Sequence, residues 1–492
     1  MKSALRIAAA VPIAVLLASC ASSSPEEVSA SSADELVANA NGSRKLVTFK
    51  LDDYPRQMQY LQNRGFDVAG VDLPASEADV ILTDYEVAEL TRQGMKLVRH
   101  QSLTAEDALL APDPQYKTPA EIDTLIHQLA ASKPAIASVK SIGKSREGRD
   151  IWAIKITKDV NQHSANKPVI LFNAMHHARE VMSPEVALDT IEQLLTNYGT
   201  NADVTHWVDS NEIWVVPMLN VDGNNKVWTT DSMWRKNTRG CPSSGSCPSG
   251  TGVDINRNYP YKWGACNGSS GSASSETYRG PSAGSEPETN VLMNFVASIR
   301  PVFDISYHSY SELIIYPYGC QGVQAPTRDV LRSVADAMAA KLPRDSGSGR
   351  YTPGTSWETL YAVDGGDIDW MYNKYSVAAY VIELNSSAQG FQPAYNTWRN
   401  RTVTKARGAW QTLLTRLDES AIRGNVPSGV AATVEVSKTG GVVQTRPVNP
   451  DGSFHVLVLP GTYHLKVTAT GRPTFEKDVT VGSARVDVNV QL

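Results

Sequence analysis

Apolar positions recur along the chain with two different periods. From Lys45 the segment KLVTFKL alternates as a strand does, and PRQMQYLQNRG carries helical spacing closed by Gly65. FDVAGVDL and ADVILT read as strands, DYEVAELTRQG as a helix and MKLVRH as a further strand. This pattern predicts a small α+β unit over 44–100, followed by a linker over 101–115 that contains Pro and Asp. A second pattern starts at Tyr116. Thr118, Pro119 and Glu121 predict a capped helix with proline at its first position. Strands are predicted at 151–157, 168–175, 212–218, 302–308 and 379–384, and helices at 184–198, 286–299, 327–342 and 396–417. Strands that alternate with helices predict an α/β sheet covered on both faces. Residues 236–285 break the rhythm with a Gly- and Ser-rich loop, and loops of that length inside a compact domain usually carry function. After Ile422, short alternating strands with turn residues predict a β-sandwich over 421–492.

The first residues have another texture. Lys2 and Arg6 precede an apolar stretch, Ile7 to Ala18, too short to span a bilayer and built like an export signal. Leu17-Ala18-Ser19-Cys20 resembles the bacterial lipobox, in which the cysteine becomes the lipid-bearing first residue. Residues 1–20 therefore read as an export signal and 21–43, rich in Ser, Ala, Asn and Glu, as a tether. The expected location is the bacterial cell envelope, through a lipid on Cys20, or the secreted state. The 492 residues are 41% hydrophobic with net charge −5, which gives no basic excess for nucleic acid. Export makes Cys241, Cys247, Cys266 and Cys320 disulfide candidates with three possible connectivities. Cys241 with Cys247 closes the short loop CPSSGSC, and Cys266 with Cys320 follows by elimination. A structural zinc site would need paired C-x-x-C spacing, which these cysteines lack.

Ionisable residues gather at predicted strand ends. His176, His177 and Glu180 follow the strand at 168–175, His308 closes the one at 302–308, and Glu383 lies near the end of 379–384. Asn220 and Asp222 follow 212–218. Ligands of open α/β sheets bind outside the carboxyl ends of strands. Two histidines and a glutamate are a known ligand set for a hydrolytic zinc that keeps one open position. His177 and Glu180 have the H-x-x-E spacing, but His176 is also within reach of the same point, and Glu180 would equally suit a helix start.

Eight motifs in order carry a resemblance over Tyr116 to about Leu417. They are HHARE (176–180), NVDG (220–223), MWRKN (233–237), DINRN (254–258), ETYRG (276–280), SYHSYSELIIYPYG (306–319), LYAVDGGDIDW (360–370) and VIEL (381–384). The segment resembles the metallocarboxypeptidases of the carboxypeptidase A type. The resemblance implies a mixed eight-stranded sheet flanked by helices and a catalytic domain over 116–418. It implies one Zn2+ held by His177, Glu180 and His308, which selects His177 over His176. It implies Glu383 as general base and Arg235 as the group facing the developing oxyanion. Asn256 and Arg257 would grip the terminal carboxylate of a peptide, Tyr361 would close over it, and Arg179 and Tyr310 would line positions further along. Ile368 would lie at the base of the side-chain pocket, with Val381 and Ile315 on its walls, which suits apolar or aromatic C-terminal residues. Asp367, expected at the rim, and nearby Asp364 would broaden that preference toward basic side chains.

The flanks extend the resemblance. The unit at 44–100 is similar to the activation segment that precedes such catalytic domains, and implies a zymogen opened by a protease in the 101–115 linker. Ile422-Arg423-Gly424, Asp451-Gly452-Ser453-Phe454 and Leu459-Pro460-Gly461-Thr462-Tyr463 make the last unit similar to a transthyretin-like domain. The expected partners are peptide and protein C-termini and an activating protease. A cell-wall peptidase of the same superfamily, cutting peptidoglycan stem peptides, and a non-catalytic peptide-binding lipoprotein are the competing expectations.

Overall fold

The computed structural model describes residues 44–102, 111–162, 167–345 and 348–492. The lipobox cysteine, the tether and most of the linker lie outside these residues. Among the described residues no helix is long and apolar enough to cross a membrane.

The first unit pairs β1 (Lys45–Lys50), β2 (Asp67–Asp72), β3 (Glu77–Leu82) and β4 (Lys96–Ser102) in the order β2-β3-β1-β4. Helices Tyr54–Arg64 and Asp84–Arg92 accompany them. Gly65 ends the first helix in the left-handed conformation, φ 76°, which a residue without Cβ adopts freely.

The large unit is built on β5 (Ala137–Lys144), β6 (Asp150–Ile156), β7 (Val169–Ala174), β8 (Glu212–Val216), β9 (Phe303–Ser309), β10 (Leu313–Ile315), β11 (Thr352–Gly354) and β12 (Ala378–Leu384). They form one eight-stranded sheet, β11-β10-β12-β9-β7-β8-β6-β5. Its centre, β12-β9-β7-β8, is parallel; β6 and β10 flank it antiparallel, β5 pairs antiparallel with β6, and β11 pairs parallel with β10. Every residue of β7 and β9 is buried; most interior positions are apolar, and the exceptions in β9, Asp304 and Ser306, are hydrogen-bonded to Asn173 of β7. Helix Met182–Asn197, buried along most of its length, packs on the sheet, and helix Tyr395–Arg416 packs on that helix. The capping box of helix Pro119–Ser132 forms as the sequence implies, with the Thr118 side chain accepting from Glu121 N. Strands β5, β10 and β11 were not legible in the sequence. β10 and β11 are three residues long, and β5 mixes buried and exposed positions at the sheet edge.

The last unit has its own apolar core between two sheets, β16-β13-β19 and β15-β14-β17-β18. These strands are β13 (Ala421–Asn425), β14 (Ala432–Lys438), β15 (Gly441–Pro447), β16 (Ser453–Leu457), β17 (Gly461–Ala469), β18 (Phe475–Val481) and β19 (Val486–Asn489). Both expected disulfides are present, Cys241–Cys247 and Cys266–Cys320.

Candidate active site

The parallel centre of the sheet brings its carboxyl ends to one place. In the β9/β12 register His308 stands opposite Glu383. The chain leaves β7 through Met175, whose φ is +64°, and this turn separates the paths of His176 and His177. His176 is directed into the protein, its Nε2 3.0 Å from the Tyr259 hydroxyl and its Nδ1 3.4 Å from Ser306 Oγ. His177 turns toward Glu180 and His308. Its Nδ1 lies 2.7 Å from Glu180 Oε1 and 3.1 Å from His308 Nδ1. His308 Nδ1 is also 3.1 Å from Glu180 Oε2.

The donor chemistry of this triad fits a metal ion. His177 Nε2 is held by Asp254 Oδ1 at 3.2 Å, which orients the ring with Nδ1 inward. Two imidazole nitrogens and a carboxylate converge within 4.8 Å, where a bound cation would take all three lone pairs. Desolvation disfavours the charged carboxylate, but the two histidines outweigh it and hold Glu180 well below its usual range.

Glu383 lies beside the triad in the same cavity, partly exposed to it. Desolvation pushes its carboxyl up to about 8; Glu180 adds to the rise, while His308, Arg235 and Arg257 oppose it. Arg235 is buried, and Asp254 Oδ2 accepts from its Nε at 3.2 Å and its Nη2 at 2.9 Å. Asp254 thus serves both a triad histidine and Arg235. Its place in DINRN (254–258) does not by itself mark it for this double role.

Asn256 and Arg257 sit in the short 3-10 turn Ile255–Arg257, started by Asp254 accepting from Asn256 N. Arg257 donates Nε to Gly268 O at 3.0 Å and Nη1 to Asn256 O at 2.8 Å, and its guanidinium lies 6.0 Å from the Tyr361 ring centre. These residues, with Tyr361, Tyr310, Ile315, Ile368 and Val381, line one cavity with the triad.

Several of the expected residues have partners that the sequence did not show. Arg179 does not line that cavity; Asp67 of the first unit binds it with two hydrogen bonds, at 2.9 and 3.0 Å. Tyr310 donates to Asp79 Oδ2 at 3.0 Å. Asp367 is not at the rim but wholly buried, because it opens helix Asp367–Tyr375 and its Oδ1 accepts from Ile368 N. Asp364 is tied into the loop, accepting from the backbone of Gly264, Cys266 and Gly268. Asn220 and Asp222 have structural partners: Asn220 caps helix Val221–Thr229, and Asp222 accepts from Ser145, Glu147 and Arg149.

The first unit leans on this site. Ala69 and Gly70 of β2 line the cavity, and Val71 N donates to Ser311 Oγ at 2.9 Å. Gly70 is required there, since a Cβ would lie 2.4 Å from the Tyr310 ring. Tyr54 donates to Leu360 O at 3.1 Å and Gln62 to Ala362 O at 2.6 Å, so one helix holds the backbone on both sides of Tyr361.

A parallel sheet centre that gathers two histidines and a glutamate beside a buried carboxylate and two arginines is the arrangement of a metallopeptidase. The family model described as zinc carboxypeptidase (peptidase M14) matches residues 122–405, and the chain belongs to that family. Zinc is the metal of this family, and His177, Glu180 and His308 are the donors that fit it. The chain is 34% identical over 273 residues to carboxypeptidase B of Homo sapiens, covering 54% of this chain and 62% of that protein. It is 30% identical over 312 residues to zinc carboxypeptidase A 1 of Anopheles gambiae, covering 63% and 69%. The carboxypeptidase A of Helicoverpa armigera has the same fold, with a TM-score of 0.63 at 24% identity over 75% of this chain and 95% of that one.

Proposed function

We propose that this protein is an exported zinc-dependent exopeptidase that removes the C-terminal residue of peptides and proteins, favours apolar and aromatic side chains, and is made latent. The observation that carries the reading is the single cavity shared by the metal-holding triad, a carboxylate, two arginines and apolar walls.

Arg257 and Asn256 receive the terminal carboxylate. A planar guanidinium offers it two parallel hydrogen bonds, which an amidated end cannot use. Tyr361 closes over the bound end. Ile315, Val381 and Ile368 surround the side chain that is released. Zinc, when bound, polarises the scissile carbonyl and acidifies its attacking water. Glu383 takes the proton of that water and delivers it to the amine nitrogen as the C–N bond breaks. The cationic neighbours of Glu383 keep its ionised form within reach despite burial, and a cation at the triad acts in the same direction. Arg235, fixed in advance by Asp254, meets the negative charge that develops on the carbonyl oxygen.

Latency rests on the first unit. Asp67 presents a carboxylate to Arg179, and β2 lies where the rest of a peptide would run. Export, read from residues 1–20, accords with two disulfides, which persist in oxidising compartments. A lipid on Cys20 would keep the protein at a membrane surface.

The test uses the purified chain before and after cleavage in the 101–115 linker, with peptides ending in Phe, Leu and amidated Phe, with and without a chelator. Chelator-sensitive release of Phe and Leu, none from the amide, and a gain after cleavage are expected. No release from any peptide by cleaved protein with zinc confirmed bound overturns the reading.

A further inference from the structure

Arg257 takes its aim from two backbone carbonyls. Its Nε donates to Gly268 O at 3.0 Å and its Nη1 to Asn256 O at 2.8 Å. Among the described residues no acid forms an ion pair with it, so the guanidinium is held only as firmly as those carbonyls. Asn256 O belongs to the 3-10 turn that Asp254 starts. Gly268 O belongs to the stretch 264–269, in which Gly264, Ala265 and Asn267 are exposed and add no core packing.

Asp364 is what fixes that stretch. Its Oδ1 accepts from Gly264 N at 3.3 Å and from Ser269 Oγ, and its Oδ2 accepts from Cys266 N and Gly268 N, each at 3.0 Å. An ionised carboxylate has about four acceptor sites, and these donors use them. The side chain is 0% exposed, and among the described residues no Lys or Arg pairs with it. Its charge is met by loop donors alone, in the manner of an anion held in a nest of backbone N–H groups. Gly268 is the shared link: its N–H binds Asp364 and its carbonyl binds Arg257. A Cβ on Gly268 would lie 2.3 Å from Asp364 N, so the two backbones touch. The other ties are the Cys266–Cys320 disulfide and the bond from Val363 N to Gly319 O at 3.0 Å.

We propose that Asp364 is a positioning residue for the carboxylate grip, setting the direction of Arg257 through Gly268. This rests on the carboxypeptidase reading above, in which Arg257 receives the terminal carboxylate. Asp364 itself touches no substrate. Asn in its place keeps the shape but has one acceptor oxygen, and it turns an amide N–H toward the loop's own N–H donors. The stretch 264–269 then loosens and the Gly268 carbonyl no longer aims the guanidinium. An error of about 1 Å in a positioned group costs up to about a hundredfold.

The probes are 3-phenylpropionate, an aromatic ring on a short chain ending in a carboxylate, and 3-phenylpropanamide, the uncharged form of the same shape. Their affinities are measured by equilibrium titration of the zinc-loaded full chain, cleaved in its linker, as wild type, D364N, R257M and the double variant. D364N should weaken the acid by about tenfold or more and leave the amide within about twofold. In the R257M background D364N should change the acid by less than about twofold, because the two residues act as one unit. Equal losses for acid and amide, or an undiminished loss in R257M, overturn the proposal, since a residue that only holds the fold would behave so. If D364N does not fold, S269A decides: it removes one donor to Asp364 from a half-buried position, and about threefold weaker binding of the acid alone is expected. Unchanged acid affinity in S269A overturns the proposal. An R257M that prefers the acid as strongly as wild type overturns the role of Arg257 in the underlying reading instead.

Discussion

Replacing Asp67 by Asn is the sharpest probe of latency. The substitution keeps the shape of the side chain and removes its charge. Arg179 and Asp67 are both buried, and the pair is bidentate. The Arg179 guanidinium and the more distant Arg235 hold the Asp67 carboxyl below its usual range against desolvation, so it is charged at neutral pH. Removing one partner of a buried ion pair costs about 3–5 kcal/mol. If about 3 kcal/mol of that falls on the docking of the first unit, the fraction of molecules with an open cleft rises by roughly a hundredfold. The remaining contacts, Tyr310 to Asp79, Val71 to Ser311, and Tyr54 and Gln62 to the Tyr361 segment, each contribute about 1 kcal/mol and keep most molecules closed. The assay is hydrolysis of a Phe-ended peptide by uncut protein, expressed as a fraction of the rate after linker cleavage. D67N should raise that fraction by one to two orders of magnitude while the melting temperature shows the large unit intact. An uncut D67N that is folded and as silent as the wild type would refute the argument that this pair closes the cleft.

Three further outcomes are expected. E383Q should lose about 10³-fold in kcat while binding one zinc per chain by metal analysis, since the side chain moves a proton and is not a triad donor. R257K should lower kcat/KM for peptide acids by about 10²-fold and leave the fold intact, because an ammonium cannot make two parallel hydrogen bonds to the carboxylate. Burial pushes Asp369 up to about 7, so the proton is bound more tightly in the folded protein than in the unfolded chain. Its stabilisation is complete below about pH 4 and is lost as pH rises through about 7. Denaturant melts from about pH 4 to about pH 8 should show wild type losing about 4 kcal/mol relative to D369N, and parallel curves would refute this.

Much of the site was visible in the sequence because the central strands bury both faces. His176, His177 and Glu180 stand out just after the apolar run VILF, whereas His308 sits among Ser306, Tyr307 and Ser309 and stands out by its place at the strand end. The choice between His176 and His177 was not visible from spacing, since it depends on the left-handed turn at Met175. Asp67 and Asp79 were not visible because their partners lie 112 and 231 residues away, and a lone acid in a strand reads as solvated surface. Asp367 was misplaced for a local reason. Counting residues from Ile368 suggested the rim, whereas the first turn of helix Asp367–Tyr375 carries the side chain inward.

The grip of Tyr54 and Gln62 on the backbone around Tyr361 has a consequence for how activity begins. The docking contacts of Asp67, Asp79, Val71, Tyr54 and Gln62 all lie outside the 101–115 linker, so cutting it leaves them in place. The severed unit still fits the cleft, and only its local concentration falls, from the millimolar order set by a short tether to that of the bulk solution. Onset of activity is then governed by dilution and by the lifetime of the cut complex rather than by the cut itself. If the first unit is inhibitory, as proposed, the released piece would act in crowded surroundings as a diffusible competitor at the cleft of its own parent.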